Sequence, residues 1–343
     1  MVTEGGPDRL LPGKLPAARL DALLARLARG DPRVRVGPRP GEDAAVIDMG
    51  DQCLVVTTDP ITFATDRIGW YAVHVNANDI AVMGARPRWF FAVLLLPERH
   101  TTDQLVQRVF DDIRTTCESL DVAVCGGHTE ITAGLDRPVV VGQMLGEVPA
   151  AQLVRKEALQ PGDAIVLTHG VAIEGTALLA RERAAVLREH LEEPLVRRAQ
   201  ELLFDPGISV VRAAAVAVQA GGVRAMHDPT EGGVATGLYE MARASATGLR
   251  VWRDRIRVLP ETEAVCRVFG ADPLRLLASG ALLAGVRPDS AGAVVQALAA
   301  AGIPARVIGE ARPGADGVRM YAEGRWIDLA PAERDEVARG LEE

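Results

Sequence analysis

The sequence predicts a two-domain protein of mixed α/β (α+β) architecture. Three observations lead there. The chain has 343 residues, and at about 150 residues per domain that length suits two units, each able to bury its own core. Strand-like and helix-like stretches interleave in both halves instead of forming separate blocks. Between the halves, Pro149–Gly162 is rich in turn residues and closes on Gln160-Pro161-Gly162-Asp163, which puts a domain boundary between 1–150 and 151–343.

The elements follow in order. Leu15–Arg29 predicts a helix, because Leu20, Leu23, Leu24 and Leu27 recur at three- and four-residue spacing. Ala44–Ile47 and Cys53–Thr57 read as two buried strands joined by Met49-Gly50-Asp51. Trp70–Met83 is a helix stopped by Gly84 and Pro87, and Trp89–Leu96 is a strand. Thr102–Leu120 is an amphipathic helix with Leu105, Val109, Phe110, Ile113 and Cys117 on one face. Val122–Cys125 is a strand that runs into a loop, GGHTE, and Pro138–Val148 is another strand.

The second half restarts with the strand Ala164–Thr168, the loop HGVAIEGT and a helix over Thr176–Arg183. A helix over Ser209–Ala220 leads through Gly221-Gly222 to MHDPTEGG and a helix over Val234–Ala244. Leu249–Trp252 and Ala281–Val286 are strands, Ala291–Ala301 is a helix, and Arg306–Ile308 is a strand. No fixed-period repeat is present.

Composition excludes several classes. Hydrophobic residues make up 48% and charged residues 24%, which argues against disorder. The formal net charge is −8, where a nucleic-acid binder would carry a basic face. The longest apolar runs, Phe90–Leu96 and Leu276–Val286, are too short for a membrane helix, and the N-terminal residues show no secretory signal. Cys53, Cys117, Cys125 and Cys266 are scattered without a C-x-x-C pair, which suits reduced thiols in a cytoplasm. Lysine occurs only at Lys14 and Lys156, and asparagine only at Asn76 and Asn78. Codon bias accounts for the scarcity, but not for both asparagines falling in one pentapeptide.

Walker, Rossmann, H-E-x-x-H and G-x-S-x-G signatures are absent. What remains is a set of carboxylates at element ends: Asp43, Asp59, Asp79 and Glu130. Carboxylates brought together repel unless a cation holds them, and an all-oxygen set suits Mg²⁺, which in turn favours a phosphate-bearing substrate. The alternative is that each is a turn or cap residue. On the helix, Asn76 and Asp79 lie within about 60° of each other, as do His74 and Asn78. Polar groups on two faces of an apolar helix need partners, either a ligand or an inter-helix hydrogen bond. Gly126 and Gly127 would let backbone amides approach an anion, with His128 as phosphate ligand, acid/base or structural residue. In MHDPTEGG, Asp228 or Thr230 is a plausible N-cap and Glu231 favours the positive helix end. HGVAIEGT, with Gly175 and Thr176, could present N–H groups to a phosphate.

Taken in order, these segments resemble the aminoimidazole-ribonucleotide (AIR) synthase, or PurM-like, superfamily, and most closely its HypE-like branch. GEDAAVI resembles the first metal-binding aspartate segment, with Asp43, and VTTDP the second, with Asp59. HVNANDIAVMGARPRWFFAVLLLP is similar to the N-D-[IL]-x-x-x-G-A-x-P helix and following strand, with Asn78 and Asp79 at its centre. CGGHTE corresponds to the G-G-[DE]-T loop, GDAIVLTHGVAIEGTALLA to the glycine loop of the second domain, and MHDPTEGG to the HypE-like M-H-D-x-T-x-G-G. Two departures stand out. His128 occupies the place of the loop's acid, and the HypE-like Pro-Arg-[Ile/Val]-Cys ending, whose thiol carries the carbamoyl group, is absent from Ala338–Glu343.

The resemblance implies N-terminal strands forming half of a central barrel that a homodimer completes, with a C-terminal α/β domain behind. It implies ATP and Mg²⁺ as cofactors, and phosphorylation of an amide- or carbonyl-type oxygen on a small acceptor. Asp43, Asp59, Asp79 and Glu130 would hold metal. Asn78, Gly126, Gly127, His128, Thr129, Gly175 and Thr176 would contact nucleotide, and His128, Asp228 and Glu231 would serve the chemistry. A protein partner in hydrogenase maturation fits the same branch. Two competing readings are a non-catalytic nucleotide sensor or scaffold homodimer, favoured by His128 and the missing tail, and a metallohydrolase that uses the same carboxylates without ATP.

Overall fold

The structure, a computed structural model, describes residues 15, 17–27, 30–39, 41–332 and 334–342. The first half contains α1 (Ala17–Leu24), β1 (Val34–Val36), β2 (Ala45–Asp48), β3 (Gln52–Ile61), α2 (Ile68–Val82), β4 (Arg86–Pro97), α3 (Asp103–Ser119), β5 (Ala123–Thr132) and β6 (Val139–Pro149). Its strands form one sheet in the order β1-β2-β3-β6-β4-β5, antiparallel except for the parallel β4–β5 pair at one edge. The helices α2 and α3 pack together, and α2 lies on β3 and β6. The α3 N-terminus is capped by Thr102, whose hydroxyl accepts the Leu105 N–H at 3.2 Å.

The second half contains β7 (Ala164–Thr168), α4 (Ile173–Glu182), α5 (Ala184–His190), α6 (Glu193–Glu201), α7 (Val211–Ala220), β8 (Val223–His227), α8 (Gly233–Ser245), β9 (Thr247–Trp252), α9 (Pro260–Phe269), β10 (Leu283–Val286), α10 (Ala291–Ala300), β11 (Ala305–Pro313), β12 (Val318–Ala322), β13 (Arg325–Asp328) and α11 (Glu336–Glu342). Its sheet runs β13-β12-β9-β11-β7-β10-β8. The first sheet ends at Pro149 and the second begins at Ala164.

One apolar core crosses between the halves. It joins Tyr71, Ala77 and Ile80 of α2 to Ile173 and Leu178 of α4 and to Ile208 ahead of α7. The helix α2 is therefore the seam of the molecule and is buried on almost every side, His74, Asn76, Asn78 and Asp79 included. Among the described residues no helix is long and apolar enough to cross a membrane. All four cysteines are free, and only Cys125 is exposed.

Several sequence expectations are corrected here. GGHTE is not a loop: it continues β5, because β4 offers a parallel partner from Trp89 to Pro97. The register slips by one residue at Cys125, a bulge that puts Gly127 against β4. A Cβ there would lie 1.9 Å from the Ala92 carbonyl oxygen, so glycine is required. The helix α4 starts at Ile173, three residues before Thr176, after Ala172 turns the chain at φ 57°. The helix α1 ends at Leu24, and Leu23 and Leu27 are exposed, so its leucine spacing marks no core face. Residues 16, 28 and 29 of the expected first helix lie outside the described residues. Phe110 is also exposed, while Val109, Ile113 and Cys117 of α3 are buried as the periodicity requires.

Candidate functional site

A cavity of about 430 Å³ opens between the two halves. Its first wall comes from the N-terminal half: Asp43 just before β2, Thr57 and Asp59 on β3, and Asp79 on α2. The second wall comes from the C-terminal half: Glu174 on α4, Asp228, Thr230 and Glu231 in the turn after β8, and Ser279 ahead of β10.

Strand alternation explains the first wall. Thr57 and Asp59 are two residues apart, so they share one face of β3. Asp79 reaches them from α2. Its Oδ2 accepts the Thr57 hydroxyl at 2.6 Å, and Thr57 also donates to the Asp43 carbonyl at 3.0 Å. Asn76, one helical turn before Asp79, accepts the Asp59 N–H at 3.0 Å and thereby fixes the strand against α2. Gly142 makes room for it, since a Cβ there would lie 2.3 Å from Asn76 Nδ2.

The charges divide sharply. Asp43 is buried. Burial alone would raise its pKa, but Lys156 and then His227 pull it well below the carboxylate range. Lys156 Nζ donates to Asp43 Oδ1 at 2.8 Å and also to the Gly41 carbonyl. His227 Nδ1 lies 3.2 Å from Asp43 Oδ2, and its Nε2 lies 2.9 Å from Glu240 Oε2. Burial and Lys156 push His227 down, yet the two carboxylates outweigh them and raise it to about 9.

Asp79 and Asp228 behave oppositely. Burial, then the neighbouring Asp59 and Asp228, hold Asp79 well above the ordinary value. Burial, then Asp43, raises Asp228 to about 8. Among the described residues neither Asp228 oxygen has a hydrogen-bond partner, although the residue is 1% exposed. Such orphaned buried oxygens are expensive unless something binds them.

The donor chemistry fits Mg²⁺. Asp43, Asp59, Asp79 and Asp228 supply oxygen only, and a divalent cation would offset the burial and mutual repulsion that raise Asp79 and Asp228. Atoms of Asp43, His227 and Asp228 also lie within 4.8 Å of one another, a spacing that a metal could bridge. We assign His227 to the second layer instead. Both its ring nitrogens already face carboxylates, and an imidazolium has no lone pair to give.

The remaining predicted residues are placed elsewhere. Gly126, Gly127, His128, Thr129 and Glu130 lie on β5, the exposed edge strand, with β4 and β6 between them and β3. They do not line the cavity of their own chain. His128 Nε2 lies 3.2 Å from Glu130 Oε2, and Glu130 accepts the Thr132 hydroxyl at 2.7 Å. Asn78 is a correction. Its Nδ2 donates to the Ile208 carbonyl at 2.8 Å and its Oδ1 accepts the Val210 N–H at 2.8 Å, so both ends of its amide bind protein backbone rather than facing the cavity. Gly175 and Thr176 are corrected likewise. Gly175 N–H donates to Leu277 O at 2.8 Å, and Thr176 N–H to Ala172 O at 3.0 Å. A Cβ on Gly175 would meet Leu276 Cγ at 2.5 Å, so this glycine serves close packing inside α4. His74, neutral because burial lowers it to about 3, packs edge-on against Trp70 at 4.3 Å.

Sequence reasoning gave no site role to Thr57, Glu174, Lys156, His227 and Ser279, and left Asn76 between a ligand contact and an inter-helix hydrogen bond. Lys156 carried a signal in its rarity, as one of two lysines. Glu174 lay inside the glycine segment HGVAIEGT; the residue is 6% exposed, with its Oε2 unpartnered. Burial raises it to about 7 against the pull of Ser279, with Asp335 and Glu231 adding to the rise.

Comparison with known proteins bears on the family and the fold. Residues 41–148 match the family described as AIR synthase related protein, N-terminal domain, and residues 160–321 match its C-terminal domain. The chain is 30% identical to carbamoyl dehydratase HypE of Rhizobium leguminosarum bv. viciae over 316 residues, 86% of this chain and 85% of the relative. It is 31% identical to the same-named protein of Cupriavidus necator over 79% of this chain and 77% of the relative. A crystal structure of hydrogenase maturation protein HypE in complex with ATP superposes with a TM-score of 0.70 at 23% identity, covering 95% of this chain and 98% of the other, and shares the fold.

Proposed function

The chain belongs to the AIR synthase related family, and from this we propose that it is a cytoplasmic, Mg²⁺-dependent enzyme that transfers the γ-phosphoryl group of ATP to an amide- or carbonyl-type oxygen of a small acceptor. The observation that carries this is the convergence of Asp43, Asp59, Asp79 and Asp228 on one cavity between the halves. The dehydratase named among its relatives and the ATP complex of a structural neighbour support the reading.

Asp43, Asp59 and Asp79 would hold the metal, with Asp228 closing the set from the second wall. Bound there, Mg²⁺ supplies charge neutralisation for the transferring phosphoryl group. The chain's own residues do the rest. Lys156 and His227 keep Asp43 ionised and aimed. Asn76 fixes the backbone that carries Asp59. Asp228 and Glu231 face the acceptor, and the second wall, with Glu174 able to hold a proton near neutral pH, orients it and shields it from water. In the transfer, the acceptor oxygen forms the new P–O bond as the bond to the β-phosphate oxygen breaks, and ADP leaves.

The edge strand β5 supports a homodimer. It is exposed along its length, including Val124 and Ile131, and presents an unpaired edge. A second copy there would cover this edge and bring His128, Thr129 and Glu130 toward the partner's nucleotide. One structural neighbour is the HypE of a HypE–HypF complex, and this supports a maturation protein as partner.

ATP turnover with and without Mg²⁺, on the wild type and on Asp59→Asn, tests the proposal. Mg²⁺-dependent ADP formation that falls by about a hundredfold or more in the variant is expected, the size of effect seen when a transition-state charge ligand is removed. Tight nucleotide binding without turnover would instead support the sensor reading that His128 favours. Absence of any Mg²⁺–ATP binding would end both. Sedimentation of wild type and Ile131→Arg checks the dimer.

A further inference from the structure

A second cleft, of about 490 Å³, lies wholly in the C-terminal half, away from the carboxylates. Four separate segments build it: His169 after β7, Asp205–Ser209 running into Arg212 on α7, Arg257 and Leu259 ahead of α9, and Gly302–Pro304 ahead of β11. Backbone hydrogen bonds knit them together. His169 N–H donates to the Pro304 carbonyl at 2.6 Å, and Val171 N–H to the Arg257 carbonyl at 3.1 Å. Asn78 clamps the residues on either side of Ser209, Ile208 and Val210, to α2. The cleft is therefore preformed.

Two features set the cleft apart. His169 is held at φ 52°, a left-handed backbone uncommon for a residue other than glycine. The exposed guanidiniums of Arg212 and Arg257, the His169 ring and the Ser209 hydroxyl make no hydrogen bond or ion pair among the described residues and stay open to a ligand. Elsewhere in this acidic chain many arginines are matched to carboxylates, as Arg181 is to Asp66 and Arg198 to Glu261. In the cleft two unmatched guanidiniums face a single acid, Asp205.

We propose that this cleft binds a small phosphate monoester. Planar guanidiniums present paired N–H donors that match phosphate oxygens bidentately, and two of them offset a dianion. Ser209 and His169 add further donors to a group with more acceptor oxygens than a carboxylate has. Pro206, Leu259 and Ile303 add apolar lining for the ester's organic body. The volume falls within the range of small-molecule pockets. This site is independent of the nucleotide cavity and does not rest on the ATP reading.

Calorimetric titration of the full chain with inorganic phosphate, phenyl phosphate and benzoate tests it. Phenyl phosphate is expected to bind more tightly than inorganic phosphate, and benzoate more weakly than either. Arg212→Gln and Arg257→Gln should each weaken both phosphates by about tenfold or more, as loss of a charge-assisted hydrogen bond does. Ser209→Ala should weaken them less, and Asp79→Asn should leave them unchanged. Circular dichroism establishes that the arginine variants, altered at exposed positions, are folded. Equal binding by the wild type and both arginine variants overturns the proposal. So does loss in Asp79→Asn alone, benzoate binding as tight as phenyl phosphate, or no heat with any ligand at millimolar concentration.

Discussion

Asn76 holds Asp59 by its backbone: the side-chain Oδ1 accepts the Asp59 N–H at 3.0 Å, while Nδ2 donates to the Ala72 carbonyl at 2.8 Å. A residue with no carboxylate of its own thereby sets where one of the site's carboxylates stands. Asn76→Ala leaves the Asp59 amide without its partner in a part-buried setting. We expect a loss of about 1–3 kcal/mol in urea unfolding, together with weaker Mg²⁺–ATP stabilisation in thermal shift. An unchanged unfolding midpoint would remove Asn76 from this role.

Asn78 makes the corresponding contact across the molecule, with both ends of its amide on backbone of the second half. Asn78→Ala should destabilise by about 2–3 kcal/mol by leaving buried backbone groups unpaired. Hydrogen exchange locates the effect: the Val210 amide should exchange faster, because its acceptor is gone. Protection at Val210 equal to that of the wild type would contradict the latch.

Lys156 is 1% exposed and compensates the buried Asp43. Lys156→Met leaves that charge with His227 as its remaining partner and should cost up to about 3 kcal/mol, below the roughly 3–5 kcal/mol of a buried charge left with none. Adding Asp43→Asn should recover much of it. A double-mutant cycle measures the coupling, and additive losses would show that the pair does not act as a unit.

Glu174 gives a pH signature. Burial raises its pKa from 4.5 to about 7 in the folded chain. The folded state then binds the proton more tightly than the unfolded state does. Its contribution is therefore most favourable below pH 4.5 and is lost as pH rises through about 7. Glu174→Gln removes that dependence. It should be close to neutral at low pH and stabilising by roughly 3 kcal/mol above the folded value, because each tenfold difference in proton affinity is worth about 1.4 kcal/mol. Parallel unfolding curves for both proteins at acid and alkaline pH would refute a buried, proton-holding Glu174.

Much of the fold was legible in order. Period-two and helical patterns located β3, β6 and α3 because their apolar spacing reflects one-sided burial, and short apolar runs bounded by turn residues located β2, β4 and β7, the last buried at every residue. The pattern failed where burial was not one-sided. The edge strand β5 is exposed on nearly every residue and carries two glycines, so it reads as a loop. The helix α2 is buried almost all round and shows no polar face; it was located, as Trp70–Met83 against the observed Ile68–Val82, by its stop signals at Gly84 and Pro87. The short surface helices α5 and α6 and the hairpin β12–β13 were not identified at all.

By itself, the sequence singled out Asp43, Asp59, Asp79 and Glu130 as candidate metal holders and Asp228 and Glu231 as candidates for the chemistry, because the residues around them carry motif and turn chemistry. Only the tertiary structure decided what surrounds them. It turned Asn78 from a nucleotide contact into a latch between the halves, because a buried amide binds whichever backbone groups the packing brings within reach. It brought Lys156 and His227 onto Asp43 from 113 and 184 residues away. It also separated Glu130 from the other acids by two strands. Charge state and partnership depend on distance through space, and a linear chain does not display that distance.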